Sequence, residues 1–279
     1  VSGSTRDVDP SEAERLVADG SVHVVDVRTP EEYRDLGHIP GATLLPVDLV
    51  VSGAATLPRD RPLLVHCEHG IRSVYACDTL SRAGFEGVLN MTGGLSVWRG
   101  PREYGPEAPV IAGPSSWLLE TADLLPEGRG RALDVACGRG RHALLLAAAG
   151  FAVDAVDRDQ AALASLRATA DRLELPVATV HVDLEDAPSL ERDAYALVAV
   201  FHYLHRPLFS ALVASVAPGG LLLYETFTVD QAALGRPRDP AHLLEHGELA
   251  RLLAPLEIVR EREGLHEGRH VAAVAALRR

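Results

Sequence analysis

Two short stretches of this chain combine residue types and spacings that could do chemistry. The first is Leu63-Leu-Val-His-Cys-Glu-His-Gly-Ile-Arg-Ser73. An apolar strand delivers Cys67 to a tight loop, Gly70 lets the backbone turn, and Arg72 opens the helical stretch that follows. Successive amides in such a loop point inward, and a helix N-terminus adds positive potential. Both effects favour a thiolate over a thiol, and Arg72 adds to them. Cys67 is therefore a candidate nucleophile able to carry a negatively charged adduct, walled by Glu68, His69, Gly70, Ile71 and Ser73. A solitary cysteine at a strand end is ordinarily an inert, packed thiol; the company it keeps here argues for reactivity.

The second stretch, Arg131-Ala-Leu-Asp-Val-Ala-Cys-Gly-Arg-Gly-Arg-His142, passes from strand to helix through Gly138 and Gly140. Glycines at such a turn let a ligand approach backbone amides. Asp157 ends the next strand about 20 residues on, where an acidic side chain can accept both hydroxyls of a ribose. The dinucleotide pattern Gly-x-Gly-x-x-Gly is not met, because Ala143 stands at its last position, and no Gly-Lys-Ser/Thr phosphate loop occurs. The ligand implied has a ribose but needs no pyrophosphate. Further along, His202, Tyr203, His205 and Arg206 follow a predicted strand, and Tyr224 and Glu225 approach the same sheet edge, where ligand pockets form. His205, Arg206 and Pro207 are equally able simply to start a helix. Arg206, Arg236 and Arg238 could receive a compact anion through paired hydrogen bonds, or Arg236-Pro-Arg238 could lie on a solvated loop. His266 and His270 flank Gly268 in an apparent hairpin, and no metal site is expected.

The elements that must position these groups alternate. In the first segment strands are predicted at 22–27, Leu63–His66 and 88–90, with helices at 30–36 and 72–83. In the second, strands are predicted at 131–136, 151–157, 177–182, 195–201, 219–225, 256–263 and 270–277. Helices are predicted there at 115–125, 141–149, 160–173, 205–216 and 242–253. Such alternation implies α/β domains with largely parallel sheets. Gly and Pro concentrate in 100–114, predicting a linker and a boundary near residue 106, hence domains 1–105 and 106–279. The chain has 279 residues, enough for two domains, and 47% are hydrophobic, consistent with real cores. Its net charge is −12, with acids outnumbering arginines in both halves, and no lysine occurs. That balance weighs against a nucleic-acid docking face. Cys67, Cys77 and Cys137 are too few for a disulfide framework and suit a reducing compartment. No apolar run approaches a membrane span and no signal-peptide pattern opens the sequence. A cytoplasmic location, away from membranes, is expected.

The cysteine loop resembles the active-site loop of single-domain rhodaneses, commonly Cys-x-x-Gly-x-Arg-Ser. Val25-Asp-Val-Arg28, Glu31-Glu-Tyr33, Gly37-His-Ile-Pro-Gly-Ala42 and Gly93-Gly94 followed by Trp98 match as well, over roughly residues 9–100. That resemblance implies sulfane-sulfur transfer through a Cys67 persulfide, with the loop amides and Arg72 holding the adduct or the oxyanion of a thiosulfate-like donor. Asp26 and Arg28 would brace the loop rather than react. Related phosphatases carry His-Cys-x5-Arg, whereas four residues separate Cys67 from Arg72 here. The shorter ring fits a sulfur atom better than a phosphate.

The glycine loop is similar to motif I of class I methyltransferases that use S-adenosyl-L-methionine, and the likeness runs over about 110–279. Asp183-Leu184 resembles the pair that contacts adenine, and Pro218-Gly-Gly220 the turn before the fifth strand. The implied fold is a Rossmann-like seven-stranded sheet following the rhodanese-like α/β domain. By that resemblance Asp134, Ala136, Cys137, Gly138 and Gly140 lie at the methionine end of the cofactor. Asp157 and Arg158 lie at the ribose, Asp183 and Leu184 at the adenine. Cys137 is expected to pack under the loop rather than to react. Phe201-His-Tyr-Leu-His-Arg-Pro207 and Leu223-Tyr-Glu-Thr-Phe227 resemble the small-molecule, tellurite-resistance-type branch. The reading that follows is a two-domain transferase with a small-molecule sulfur donor and a small methyl acceptor, a thiol or chalcogen oxyanion. Two alternatives stay open: a sulfur-carrier or interaction role for the first domain, and a cofactor-binding regulator for the second. The sequence names neither substrate and leaves the oligomeric state open.

Overall fold

The computed structural model describes residues 5–105, 113–186 and 189–279. The chain divides into two compact units whose main bodies are Val1–Pro114 and the two stretches Ser115–Arg167 and Pro176–Arg279. The boundary expected near residue 106 lies outside the described residues.

In the first unit the order is β1 (Thr5–Val8), α1 (Pro10–Ala18), β2 (His23–Asp26), α2 (Pro30–Asp35), β3 (Thr43–Leu44), α3 (Val50–Gly53), β4 (Leu63–His66), α4 (Arg72–Arg82) and β5 (Val88–Met91). The strands form one parallel sheet in the order β1-β5-β4-β2-β3. Both faces are covered, so strands read as unbroken apolar runs rather than alternating ones. Leu63 and Val65 enter one buried cluster with Val25 and Leu80, while Leu64 enters another with Val24 and Leu89. Start signals are explicit: Asp9 caps α1, and Thr29 with Glu32 makes a reciprocal capping box on α2, each followed by Pro at the first position.

The second unit continues with α5 (Ser116–Glu120), β6 (Arg131–Val135), α6 (Arg141–Ala148), β7 (Ala152–Asp157), α7 (Gln160–Arg172), β8 (Val177–His181) and β9 (Tyr195–Phe201). It closes with α8 (Phe209–Ser215), β10 (Val216–Phe227), α9 (Gln231–Leu234), α10 (Glu248–Leu252), β11 (Glu257–His266) and β12 (Arg269–Leu277). Its sheet runs β11-β12-β10-β9-β6-β7-β8. Only β12 pairs antiparallel, with β10 and with β11. The order reverses between β6 and β9, and ligands of such sheets bind at the carboxyl ends of the strands beside that reversal. Three predicted helices are shorter than expected. Residues 115–125 form α5 and a separate 3-10 turn, Pro207 confines the start of 205–216 to another such turn, and Gly247 at φ 65° delays the last helix to Glu248. Among the described residues no helix is long and apolar enough to cross a membrane.

Candidate functional sites

The cysteine loop stands where β4 runs into α4. Cys67 is buried, and its Sγ accepts the Gly70 amide at 3.1 Å and lies 3.6 Å from Ser73 Oγ. Burial alone would raise its pKa, but the amides of Ser73, His69 and Gly70 and the Ser73 hydroxyl outweigh it and hold the thiol below its ordinary value. Cys77, one turn into α4, lacks that ring and is pushed up to about 12 by burial. The loop is fastened from outside. Leu95 and Ser96 donate backbone hydrogen bonds to the carbonyls of Cys67 and Glu68. A Cβ at Gly94 (φ 63°) would fall 2.3 Å from the Cys67 oxygen, so only glycine lets this segment approach.

Asp26 and Arg28 are tied to the loop through Glu68. Arg28 is completely buried, with Nη2 at 2.7 Å from Asp26 Oδ2 and Nη1 at 2.8 Å from Glu68 Oε2. Arg72, expected to hold the adduct, makes a fork to Glu32 at 2.7 and 2.6 Å. Those bonds draw Glu32 down to about 2. The ring that faces sulfur is therefore made of amides and the Ser73 hydroxyl.

The second site is a cleft of about 350 Å³ at the carboxyl ends of β7, β9 and β10 and the loops that follow β6 and β8. Of the predicted residues it brings together Ala136, Asp157, Arg158, Asp183, Leu184, His202 and Tyr203. Asp157 Oδ2 accepts the Gly138 amide at 2.7 Å and Oδ1 the Asp159 amide at 2.8 Å, which fixes the carboxylate at the rim. Asp183 Oδ1 accepts from the Glu185 amide, and the Arg158 guanidinium reaches across to Asp183 and Glu185 at 3.9 and 3.6 Å.

Other predicted residues stand back from the cleft. Asp134 is buried and accepts the Ala143 amide at 2.9 Å, so it secures the first turn of α6; burial pushes it up to about 7. Cys137 packs beneath the loop, its thiol raised by burial and by Asp134 and Asp157. The two loop glycines differ. A Cβ on Gly140 would meet Leu166 at 2.3 Å, whereas one on Gly138 would stand in open space. Gly140 thus serves the contact between α6 and α7, and Gly138 faces open space.

The acceptor-side residues divide as well. His202 has φ 57° and lines the cleft, its Nδ1 2.8 Å from an Arg141 nitrogen. Guanidinium can only donate, so that nitrogen is unprotonated. Burial and the charges of Arg141 and Arg269 lower His202 to about 3, which keeps the ring neutral. Glu225 does not face the cleft as a free carboxylate: it is buried between Ser115 Oγ at 2.5 Å and Arg262 Nη2 at 2.6 Å. Arg206 turns to Glu248 at 2.6 Å and to the carbonyls of Ala241 and Leu243, and it does not line the cleft. His205 is half-buried ahead of the turn that precedes α8. Arg236 and Arg238 are exposed, and from their segment Pro237 lines the cleft. Sequence reasoning missed Thr226, Phe227, Pro237 and His242 as lining residues; Phe227 closes a stretch already singled out, but only tertiary folding brings His242 there.

Residues 9–100 match the rhodanese-like domain and residues 132–220 a methyltransferase domain. A sulfurtransferase of Allochromatium vinosum is 39% identical over 86 residues, which cover 31% of this chain and 79% of that protein. The thiosulfate sulfurtransferase GlpE of Pseudomonas entomophila is 40% identical over 92 residues, covering 33% of this chain and 83% of the relative. Among solved structures the chain is similar to TehB from Haemophilus influenzae, at 20% identity, TM-score 0.49, covering 58% of this chain and 61% of the other. Through its first unit the chain belongs to the rhodanese-like family. It is a transferase that joins this domain to a methyltransferase domain.

Proposed function

We propose that the protein combines two transfers. Cys67 takes a sulfane sulfur as a persulfide, and the second unit binds S-adenosyl-L-methionine and methylates a small thiol or chalcogen oxyanion in the tellurite-resistance manner. The domains are 1–105 and 106–279, and the protein works in the cytoplasm. The observation that carries the first half is the ring of amides around a buried Cys67 whose thiol is held below its ordinary value. The second half rests on the donor set of the cleft. Asp157 is fixed at its rim with lone pairs to spare for two hydroxyls, Val182 and Leu184 offer an apolar wall beside Asp183, and Gly138 leaves room for a ligand. These residues fit a ribose, an adenine and a methionine tail in that order. The cofactor, when bound, supplies an activated methyl on a sulfonium, so the protein's share is alignment and exclusion of water. Neutral His202, Tyr203 and Phe227 give the acceptor end an aromatic lining without a free carboxylate.

Three measurements on the full chain test the halves separately. Intact mass after incubation with a sulfur donor should show one cyanide-removable sulfur, mapped to Cys67. Titration calorimetry should detect S-adenosyl-L-methionine, and a methyl-release screen over small thiols, selenite and tellurite should find an acceptor. Binding without any accepted substrate would favour a regulator, and methylation of RNA alone would end the small-acceptor reading.

A further inference from the structure

Methylating a neutral thiol needs its proton removed, and most titratable groups at the cleft are unsuited to take it. Asp157 ends β7, and Asp183 and Glu185 follow β8; the sheet order puts β6 and β9 between them and β10. His202 has spent its unprotonated Nδ1 on Arg141, and its Nε2 then carries the ring's proton, 3.7 Å from Glu225 Oε1. Glu225 is itself spent between Ser115 and Arg262. Tyr203 is pushed up to about 12 by burial and by Glu185 and Asp183, so it stays a phenol.

His242 differs from all of these. It lines the same cleft, is exposed, and among the described residues its ring carries no hydrogen bond or ion pair. Its place is fixed through the backbone instead. Asp239 caps the 3-10 turn Pro240–His242 by accepting the Ala241 amide at 2.9 Å, and the Leu244 amide donates to the Phe227 carbonyl at 2.9 Å. Arg206 donates to the carbonyls on either side of His242, Ala241 at 3.2 Å and Leu243 at 2.9 Å. A fastened turn thus presents an uncommitted imidazole at the Phe227 end of the cleft, where β10 finishes. Imidazole is also the side chain type that ordinarily exchanges a proton near neutral pH.

We propose that His242 is the catalytic base of the methyl transfer and that the acceptor is a neutral thiol, an inference that rests on the methyl-transfer reading above. A ring nitrogen of His242 takes the S–H proton, and the freed sulfur pair forms the new sulfur–methyl bond. The methyl's bond to the sulfonium breaks, and that pair stays on the departing sulfur as a neutral thioether. The exposed imidazolium returns its proton to water, so the step balances with no further reactant.

The test sets two acceptors against each other on the full chain: mercaptoethanol, which must lose a proton, and para-nitrothiophenol, already ionised at neutral pH. His242→Gln should lower kcat/KM for mercaptoethanol about 100-fold, the scale of general base catalysis, and that for para-nitrothiophenol by less than about threefold. The deficit should shrink as pH rises, because the solution itself then supplies the thiolate. Free imidazole should restore part of the rate to His242→Ala. A readout without turnover uses the complex with S-adenosylhomocysteine. Adding mercaptoethanol to it should shift the imidazole proton resonance that His242→Gln removes from the NMR spectrum. Equal losses for both thiols, no loss for either, or an unmoved resonance would overturn the base assignment while leaving methyl transfer in place. Wild type that binds S-adenosyl-L-methionine but methylates neither thiol would remove the thiol-acceptor reading, and the inference with it.

Discussion

Each unit of this molecule carries a cysteine in a loop between a parallel strand and a helix, and the two cysteines have opposite fates. Both are buried. Around Cys67 the loop amides turn toward Sγ; around Cys137 the adjacent Gly138 amide goes to Asp157 instead, and the sulfur lies 3.5 Å from the Gly138 carbonyl. Two carboxylates beside Cys137 then add to burial in raising its thiol, while hydrogen bonding outweighs burial at Cys67. Where the loop's amides point, rather than burial or position after a strand, decides whether sulfur or a carboxylate becomes the working group. In the first unit the loop amides go to the sulfur; in the second the Gly138 amide goes to the Asp157 carboxylate at the cleft rim.

The sharpest way to break this contrast is to remove the sulfur. Cys67→Ser should abolish sulfur loading altogether, because neither other thiol is ionised at neutral pH. An addition that survives in the variant, on Cys77 or Cys137, would refute the assignment. Alkylation by iodoacetamide against pH gives the same contrast as a curve. The Cys67 reaction should reach half its limit below the ordinary thiol value of about 8.5, while Cys77, pushed up to about 12, stays silent. Since the folded pKa of Cys67 is depressed, its thiolate contributes stability above the ordinary thiol value. That contribution is lost as pH falls through the folded one.

The next largest effect falls on the carboxylate of the second loop. Asp157→Ala should weaken binding of S-adenosyl-L-methionine by about 1.5–3 kcal/mol, the scale of hydrogen bonds to a charged group. Asp157→Asn should lose less, because one oxygen remains to hold the loop. Calorimetry on both variants, with circular dichroism as the check on folding, decides the matter; unchanged affinity in a folded Asp157→Ala would contradict the ribose role.

How much of this was legible beforehand depends on the range of the interactions involved. Both working loops could be read because their chemistry is local: a strand, a turn residue and a helix start within a dozen residues. β1 and β3 were not predicted. Only Val8 of β1 is buried, and β3 has two residues, so neither carries a periodic signal. The fate of Glu225 was illegible for another reason. Its partner Arg262 stands 37 residues away on a strand whose half-buried pattern resembles any solvated edge. Nothing in the local sequence separates that carboxylate from one that meets a substrate. Asp134 was placed at the right loop, but its task, holding the Ala143 amide, emerges only once strand and helix are folded together.

A smaller effect sharpens the comparison within the second loop. Gly140→Ala sets a methyl against Leu166 at a residue with φ 78° and should cost about 1–3 kcal/mol of stability, the range for overpacked cores. Gly138→Ala, at φ 53° but facing open space, should cost about 1 kcal/mol of stability and a larger share of cofactor affinity. Denaturant midpoints and calorimetry together separate the two. Equal losses of affinity with equal losses of stability would mean that the glycines do not divide their roles as the geometry indicates.

The smallest effect concerns Arg206, which its place after β9 made a candidate to grip an anionic acceptor. The guanidinium is spent elsewhere, on a fork to Glu248 at 2.6 and 2.9 Å and on the carbonyls of Ala241 and Leu243. It joins the turn before α8 to the start of α10, and its charge is balanced before any ligand arrives. Arg206→Ala should therefore leave the KM for an acceptor essentially unchanged. Because both side chains of the pair remain partly exposed, the variant should cost no more than about 1 kcal/mol of stability. Glu248→Gln, which removes the same charge pairing from the other end, should show a loss of similar size. Were Arg206→Ala instead to raise KM for a chalcogen oxyanion while sparing a neutral thiol, the arginine would have to leave Glu248 during binding. The acceptor end would then be a cationic pocket rather than the aromatic and neutral one that His202, Tyr203 and Phe227 line.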